Sequence, residues 1–160
     1  MPDLNSRSHD ELVNRLLTCL NVPRWAEDIA AARPFATAEE VLRAADEAAP
    51  DLTAEELHRA LIAHPRIGER AEGADQDAEF SRSEQAGVGD ELAAELRAAN
   101  AEYERRFGHV YLVCAAGRGG AELLGILRSR LNNDPETELG IVAAELRKIA
   151  RLRLEKVIHE

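Results

Sequence analysis

The sequence predicts an all-α fold: a single-domain helical bundle of about seven helices over residues 1–160, interrupted by a long irregular loop. Three observations lead there. The chain is rich in Ala, Leu and Glu, with 31% charged and only 4% aromatic residues, a mixture that favours packed helices over sheets. Helix starts are written as capping boxes at Ser8-His-Asp-Glu11, Thr37-Ala-Glu-Glu40 and Thr53-Ala-Glu-Glu56, each a hydroxyl followed three residues later by a glutamate. Towards the C-terminus, apolar residues recur at alternating three- and four-residue intervals, the period of one helix face.

These signals place helices at 9–20, 24–32, 38–48, 54–63, 90–106, 120–131 and 135–157. Asp134-Pro135 opens the last, with an acidic N-cap and proline at the first helical position. Gly108 terminates the fifth. Two segments break the pattern. Residues 65–89 form a polar, glycine-bearing connection of a length that is usually functional or disordered. Val110-Tyr-Leu-Val-Cys-Ala-Ala116 is a short apolar run that belongs in the interior, and periodicity alone leaves open whether it is extended or a helical turn.

A formal net charge of −10 argues against nucleic acid as the main partner, because phosphate binding needs a basic surface. Cys19 and Cys114 lie far apart and form no CxxC pair, which fits a reducing compartment. The N-terminal residues lack the basic-then-apolar pattern of a signal peptide, and no run approaches a membrane span. The expectation is a cytoplasmic protein with no membrane partner.

Three places carry residues that helix formation does not ask for. Leu139, Val142, Leu146 and Ile149 form an apolar stripe, and the next position on it is Arg153. Arg147, Lys148 and Arg151 fall on other, solvated faces. A buried guanidinium costs several kcal/mol unless paired, so Arg153 either ion-pairs inside the protein, clamps an anionic ligand, or snorkels to the edge of the bundle. In the fourth helix Leu57, Leu61 and His64 share one face, so His64 aims inward at the helix end, where Pro65 stops the helix and stiffens its exit. His64 is either a core residue or a proton-transfer group, since its ordinary pKa suits that work near neutral pH. Ser81-Arg-Ser-Glu84-Gln85 reads as another capping box, but Ala-Gly-Val-Gly follows where an apolar helix should.

Other chemistries lack support. There is no phosphate-binding glycine loop, the scattered histidines (9, 58, 64, 109, 159) form no zinc pair, and the serines lack a nucleophile elbow. Gly117-Arg-Gly-Gly120 reads as a turn, and Trp25 and Phe35 as core residues.

Taken in order, Trp25, Arg33-Pro34-Phe35, His64-Pro65, Ser81-x-x-Glu84-Gln85-Ala86-Gly87, Asn100-x-x-Tyr103, Phe107-Gly108 and Glu145-x-x-x-Ile149-x-x-x-Arg153-Leu154 resemble one family over most of the chain. It is 2-oxo-4-hydroxy-4-carboxy-5-ureidoimidazoline (OHCU) decarboxylase, which acts in urate breakdown. The resemblance implies an all-α homodimer that converts OHCU to (S)-allantoin without metal or organic cofactor. It implies His64 and Glu84 as catalytic residues, and Pro65, Ser81, Gln85 and Arg153 as substrate-binding residues. It also implies ligand contacts from backbone amides near 110–116. The sequence departs from the family pattern at His109, where an apolar or aromatic residue is common, and in the length of Gly117–Asn133. Two other classes stay open: a cofactor-free hydrolase or isomerase using the same His/Glu/Arg set, and a non-catalytic helical interaction module, which would have no use for Arg153 on a core stripe.

Overall fold

The computed structural model describes residues 2–49, 52–62, 64 and 92–159. They form eight helices: α1 (Pro2–Ser6), α2 (His9–Leu17), α3 (Pro23–Ala31), α4 (Ala38–Ala48), α5 (Ala54–Ile62), α6 (Ala93–Phe107), α7 (Gly120–Arg130) and α8 (Pro135–Ile158). No strand occurs among the described residues. The all-α expectation therefore holds among the described residues, and α1 is a helix the sequence did not announce. Backbone contacts divide the chain into two compact units, Met1–Ala60 with Arg147–Glu160, and Leu61–Leu146.

The first unit is built on capped, amphipathic helices. At α2 the Ser8 hydroxyl accepts from the Glu11 N–H, and the Glu11 carboxylate accepts from the Ser8 N–H. Thr53 and Glu56 form the same reciprocal pair at α5. At α4 the expected box is shifted by one residue: Thr37 caps Glu40, but the Glu40 carboxylate takes the Ala36 N–H at 2.7 Å. The helices bury Leu12, Leu16, Trp25, Ile29, Val41 and Ala45, with α3 packed on both α2 and α4. Trp25 fills this core with its ring, and its indole N–H donates to the Ala45 carbonyl at 3.1 Å, so the one polar atom of the ring is satisfied.

Helix α1 carries no strong local signal, and tertiary contacts hold it. The Asn5 amide exchanges two hydrogen bonds with the backbone of Phe35, at 2.8 and 2.9 Å. The Arg33 guanidinium donates to the carbonyls of Leu4 and Arg7, which a helix this short leaves open at its end.

The second unit centres on Leu96, Ala99 and Tyr103 of α6, Tyr111, Val113 and Ala115 of the apolar run, and Leu123, Leu124 and Leu127 of α7. The run is neither helix nor paired strand. Its residues 111, 113 and 115 turn into one cluster, the two-residue alternation of an extended chain. Gly108 ends α6 in the left-handed conformation (φ 78°), as expected. Gly117 (φ 76°) and the Arg118 N–H to Ala115 C=O bond make a turn before α7. Asp134 caps the Thr137 N–H at the start of α8, with Pro135 in the first turn.

Gly140 sits in the exposed interior of α8, where an added Cβ would meet nothing within 4 Å. Gly140→Ala should therefore raise unfolding stability by about 0.5–1 kcal/mol, read as a higher thermal midpoint. An unchanged or lower midpoint would show that this helix face is not open.

Candidate active site

The sequence marks one misplaced charge on α8, and the structure shows three. Arg153 is 1% exposed, and Glu138 and Glu145 are 0% and 7% exposed. Glu138, Val142, Glu145, Ile149 and Arg153 follow one another at three- and four-residue steps, so they share a helix face. The buried stripe thus runs one position earlier than expected at its start, since Leu139 is only half-buried while Glu138 is inaccessible. Arg147, Lys148 and Arg151 are exposed, as their spacing predicts.

In the first unit, Arg153 does not snorkel to solvent. Its Nη1 donates to the Thr18 carbonyl at 3.2 Å, at the C-cap of α2. A guanidinium there meets the negative end of the α2 dipole, a favourable place for a cation.

In the second unit, Glu138 gathers a polar cluster inside the apolar core. Its Oε1 accepts from the Tyr103 hydroxyl and from Arg130 Nε at 2.7 Å, and its Oε2 accepts from Asn133 Nδ2 at 3.0 Å. Arg130 Nη2 adds a close ionic contact to the same carboxylate oxygen without a directed hydrogen bond. The guanidinium carbon also lies 4.9 Å from the centre of the Tyr111 ring, within cation–π range. The remaining terminal nitrogen, Nη1, donates to the Leu112 carbonyl at 2.6 Å. Glu145 completes the arrangement by accepting the Cys114 N–H at 3.2 Å. The extended run therefore takes its backbone hydrogen bonds from buried charged side chains, where a sheet would supply a neighbouring strand.

Burial pushes the phenols of Tyr103 and Tyr111 far above their ordinary pKa of 10.0, and the adjoining Glu138 hydrogen bond adds to the effect at Tyr103.

His64 lies just past the last turn of α5, half-buried, with its N–H donating to the Leu61 carbonyl at 3.0 Å. Leu57 and Leu61 on the same face are buried, in line with the helical spacing. His64 belongs to the second unit and Arg153 to the first. Pro65, Ser81, Glu84 and Gln85 lie outside the described residues. His109 joins the aromatic group of the second unit, its ring 5.6 Å from that of Tyr103 in an edge-on arrangement.

The sequence reading missed Arg130 altogether and gave Glu138 no role. The signal for Glu138 was present: it stands three or four residues from an apolar stripe member, the same test that exposed Arg153. Nothing local distinguishes Arg130 from its exposed neighbour Arg128.

Against this geometry, the OHCU decarboxylase family model matches residues 5–155. The chain belongs to the OHCU decarboxylase family. The 2-oxo-4-hydroxy-4-carboxy-5-ureidoimidazoline decarboxylase of Amia calva is 31% identical, over 99% of this chain and 94% of that protein. The uric acid degradation bifunctional protein of Arabidopsis thaliana is 30% identical over 89% of this chain, which spans 46% of that relative's length. A crystal structure of OHCU decarboxylase in the presence of (S)-allantoin superposes with a TM-score of 0.78 at 27% identity, covering 92% of this chain and 99% of that one. Family membership agrees with the order of motifs from Trp25 to Leu154.

Two outcomes test the buried cluster. Glu138→Leu should cost about 3–5 kcal/mol by stranding the Arg130 charge, whereas Arg130→Met combined with Glu138→Leu should recover much of that loss in denaturant titration. The second concerns pH. Because the folded state holds the Tyr103 and Tyr111 protons more tightly than the unfolded state, it binds more protons above pH 10.0. Their contribution is complete below that pH and is lost as pH rises beyond it. Alkaline titration of stability should show this fall, and Tyr111→Phe should make it shallower.

Proposed function

We propose that this chain decarboxylates OHCU to (S)-allantoin in urate degradation. The observation that carries the reading is the match to the Amia calva decarboxylase over 99% of this chain and 94% of that protein, which leaves little room for a different catalytic core. The buried guanidinium of Arg153 supports it. An enzyme acting on a small anion has a use for a cation in apolar surroundings, where an interaction module has none.

The substrate carries a hydroxyl and a carboxylate on one ring carbon and a ureido group on the next. When the bond to the carboxylate breaks, CO₂ leaves and its electron pair passes into the ring towards the conjugated C=N. The ring nitrogen gains a proton, and the ureido-bearing carbon then gains another while the hydroxyl gives up its own to become the carbonyl of allantoin. The ring is its own electron sink, so the chain works without metal or organic cofactor. Arg153 binds an anionic part of the substrate through charge-assisted hydrogen bonds. His64 transfers the proton, held at the end of α5 and stiffened by Pro65. Glu84 binds ureido or ring N–H groups and shares the acid–base work, and Ser81 and Gln85 orient the ring. Backbone groups of the 110–116 run contact the ligand. The working form is a cytoplasmic homodimer.

The test is direct. Generate OHCU from urate with the two upstream activities, add the protein, and follow circular dichroism. Rapid appearance of a single allantoin enantiomer is expected, and racemic product at the spontaneous rate rejects the reading. His64→Asn should lower turnover by about 10²–10⁴-fold with the fold intact, and near-wild-type turnover removes His64 from the chemistry.

A further inference from the structure

Helix α2 ends in a tightly bonded turn. The Thr18 N–H and hydroxyl both donate to the Arg15 carbonyl, at 3.2 and 2.6 Å. The Cys19 and Leu20 N–H groups both donate to the Leu16 carbonyl, at 2.9 and 3.1 Å, and the side chains of Cys19 and Leu20 are buried. The direction of the Thr18 carbonyl is therefore set by its own hydroxyl, by the backbone around it and by the two buried side chains that follow. That carbonyl is the one that Arg153 Nη1 meets at 3.2 Å. On α8, Ile149, Ala150, Leu154 and Val157 around Arg153 are buried, so both ends of the contact stand on packed helices. All of these residues lie within the first unit.

A long side chain that is free before binding loses rotamer freedom when a ligand fixes it, and one already fixed by the fold does not. A guanidinium suits such anchoring, because its planar fork can meet an acceptor with one nitrogen while the others address a second group. The contact with Thr18 also leaves the net positive charge of the guanidinium in place, since a helix-end carbonyl carries only a partial charge. We propose that Thr18 is a positioning residue of the active site, its C-cap carbonyl fixing the Arg153 guanidinium in the orientation that receives the anionic part of the substrate. This rests on the decarboxylase reading with Arg153 as its substrate-binding cation. Thr18 acts through Arg153 and not on the reacting atoms, so its contribution is to substrate binding rather than to the chemical step.

The experiment measures KM and kcat for OHCU in wild type, Thr18→Gly, Thr18→Ser, Arg153→Lys and the Thr18→Gly/Arg153→Lys pair, normalised to folded protein. Thr18→Gly removes the hydroxyl and frees the cap backbone, whereas Thr18→Ser keeps the hydroxyl. The proposal expects Thr18→Gly to raise KM by about 3–10-fold, the scale of ordering one side chain on binding, with kcat within about twofold of wild type. Thr18→Ser should return KM to within about twofold of wild type. Lysine has no fork, so in the Arg153→Lys background Thr18→Gly should raise KM by less than about twofold. An unchanged KM in Thr18→Gly overturns the proposal. So does an equal rise in both backgrounds, which marks Thr18 as a residue that acts on the fold independently of Arg153. If Thr18→Gly does not fold, an ester in place of the amide between Thr18 and Cys19 enters the same cycle, since it weakens the Thr18 carbonyl as an acceptor. The Cys19 N–H lost with that amide affects both backgrounds alike and cancels. Arg153→Lys with the wild-type KM removes Arg153 from binding and overturns the proposal, while the decarboxylase reading stands. A wild-type chain that forms no (S)-allantoin from OHCU rejects that reading and the proposal with it.

Discussion

The second unit depends on one buried carboxylate. Glu138 is inaccessible to water, so its charge is tolerable only because Arg130, Tyr103 and Asn133 close around it. That requirement ties the start of α8 to α6, to the end of α7 and to the loop before α8. It also fixes Arg130 with one nitrogen to spare, and that nitrogen reaches the Leu112 carbonyl. The polar cluster sits beside the aromatic packing around Tyr103, whose ring centre lies 4.6 Å from that of Phe107 and 5.4 Å from that of Tyr111. Apolar packing alone would accept several rotations of these helices, and the polar cluster accepts few.

An extended segment in an all-helical protein poses a problem of its own, because buried backbone groups need partners and there is no sheet to provide them. This chain solves it with side chains from α7, α8 and the turn that leads into α7. Hydrogen bonds from charged groups are roughly twice as strong as neutral ones, so a few of them hold a segment that would otherwise want a neighbouring strand.

The first unit uses cations differently. Arg33 closes the carbonyls at the end of α1, and Arg153 meets the Thr18 carbonyl at the end of α2. The C-terminal ends of helices are partial negative charges, so each guanidinium is satisfied in part by backbone.

The sequence by itself determined the helices from α2 to α8, because caps and terminators act within one turn: Ser8 with Glu11, Thr53 with Glu56, Gly108 and Asp134-Pro135 are all local. It also determined that Arg153 lies on a buried face, since that follows from helical spacing. The order of motifs was enough to name the family. Tertiary structure decided what local spacing does not encode. Helix α1 exists because Asn5 and Arg33 meet partners about 30 residues away, and the 110–116 run is extended because Arg130 and Glu145 reach it from other elements. Arg130 and Arg128 look alike in the sequence, and only the buried Glu138 eight residues on makes one of them part of the core. Burial and pairing of a charge depend on what the fold brings close, and that distance is measured in space rather than along the chain.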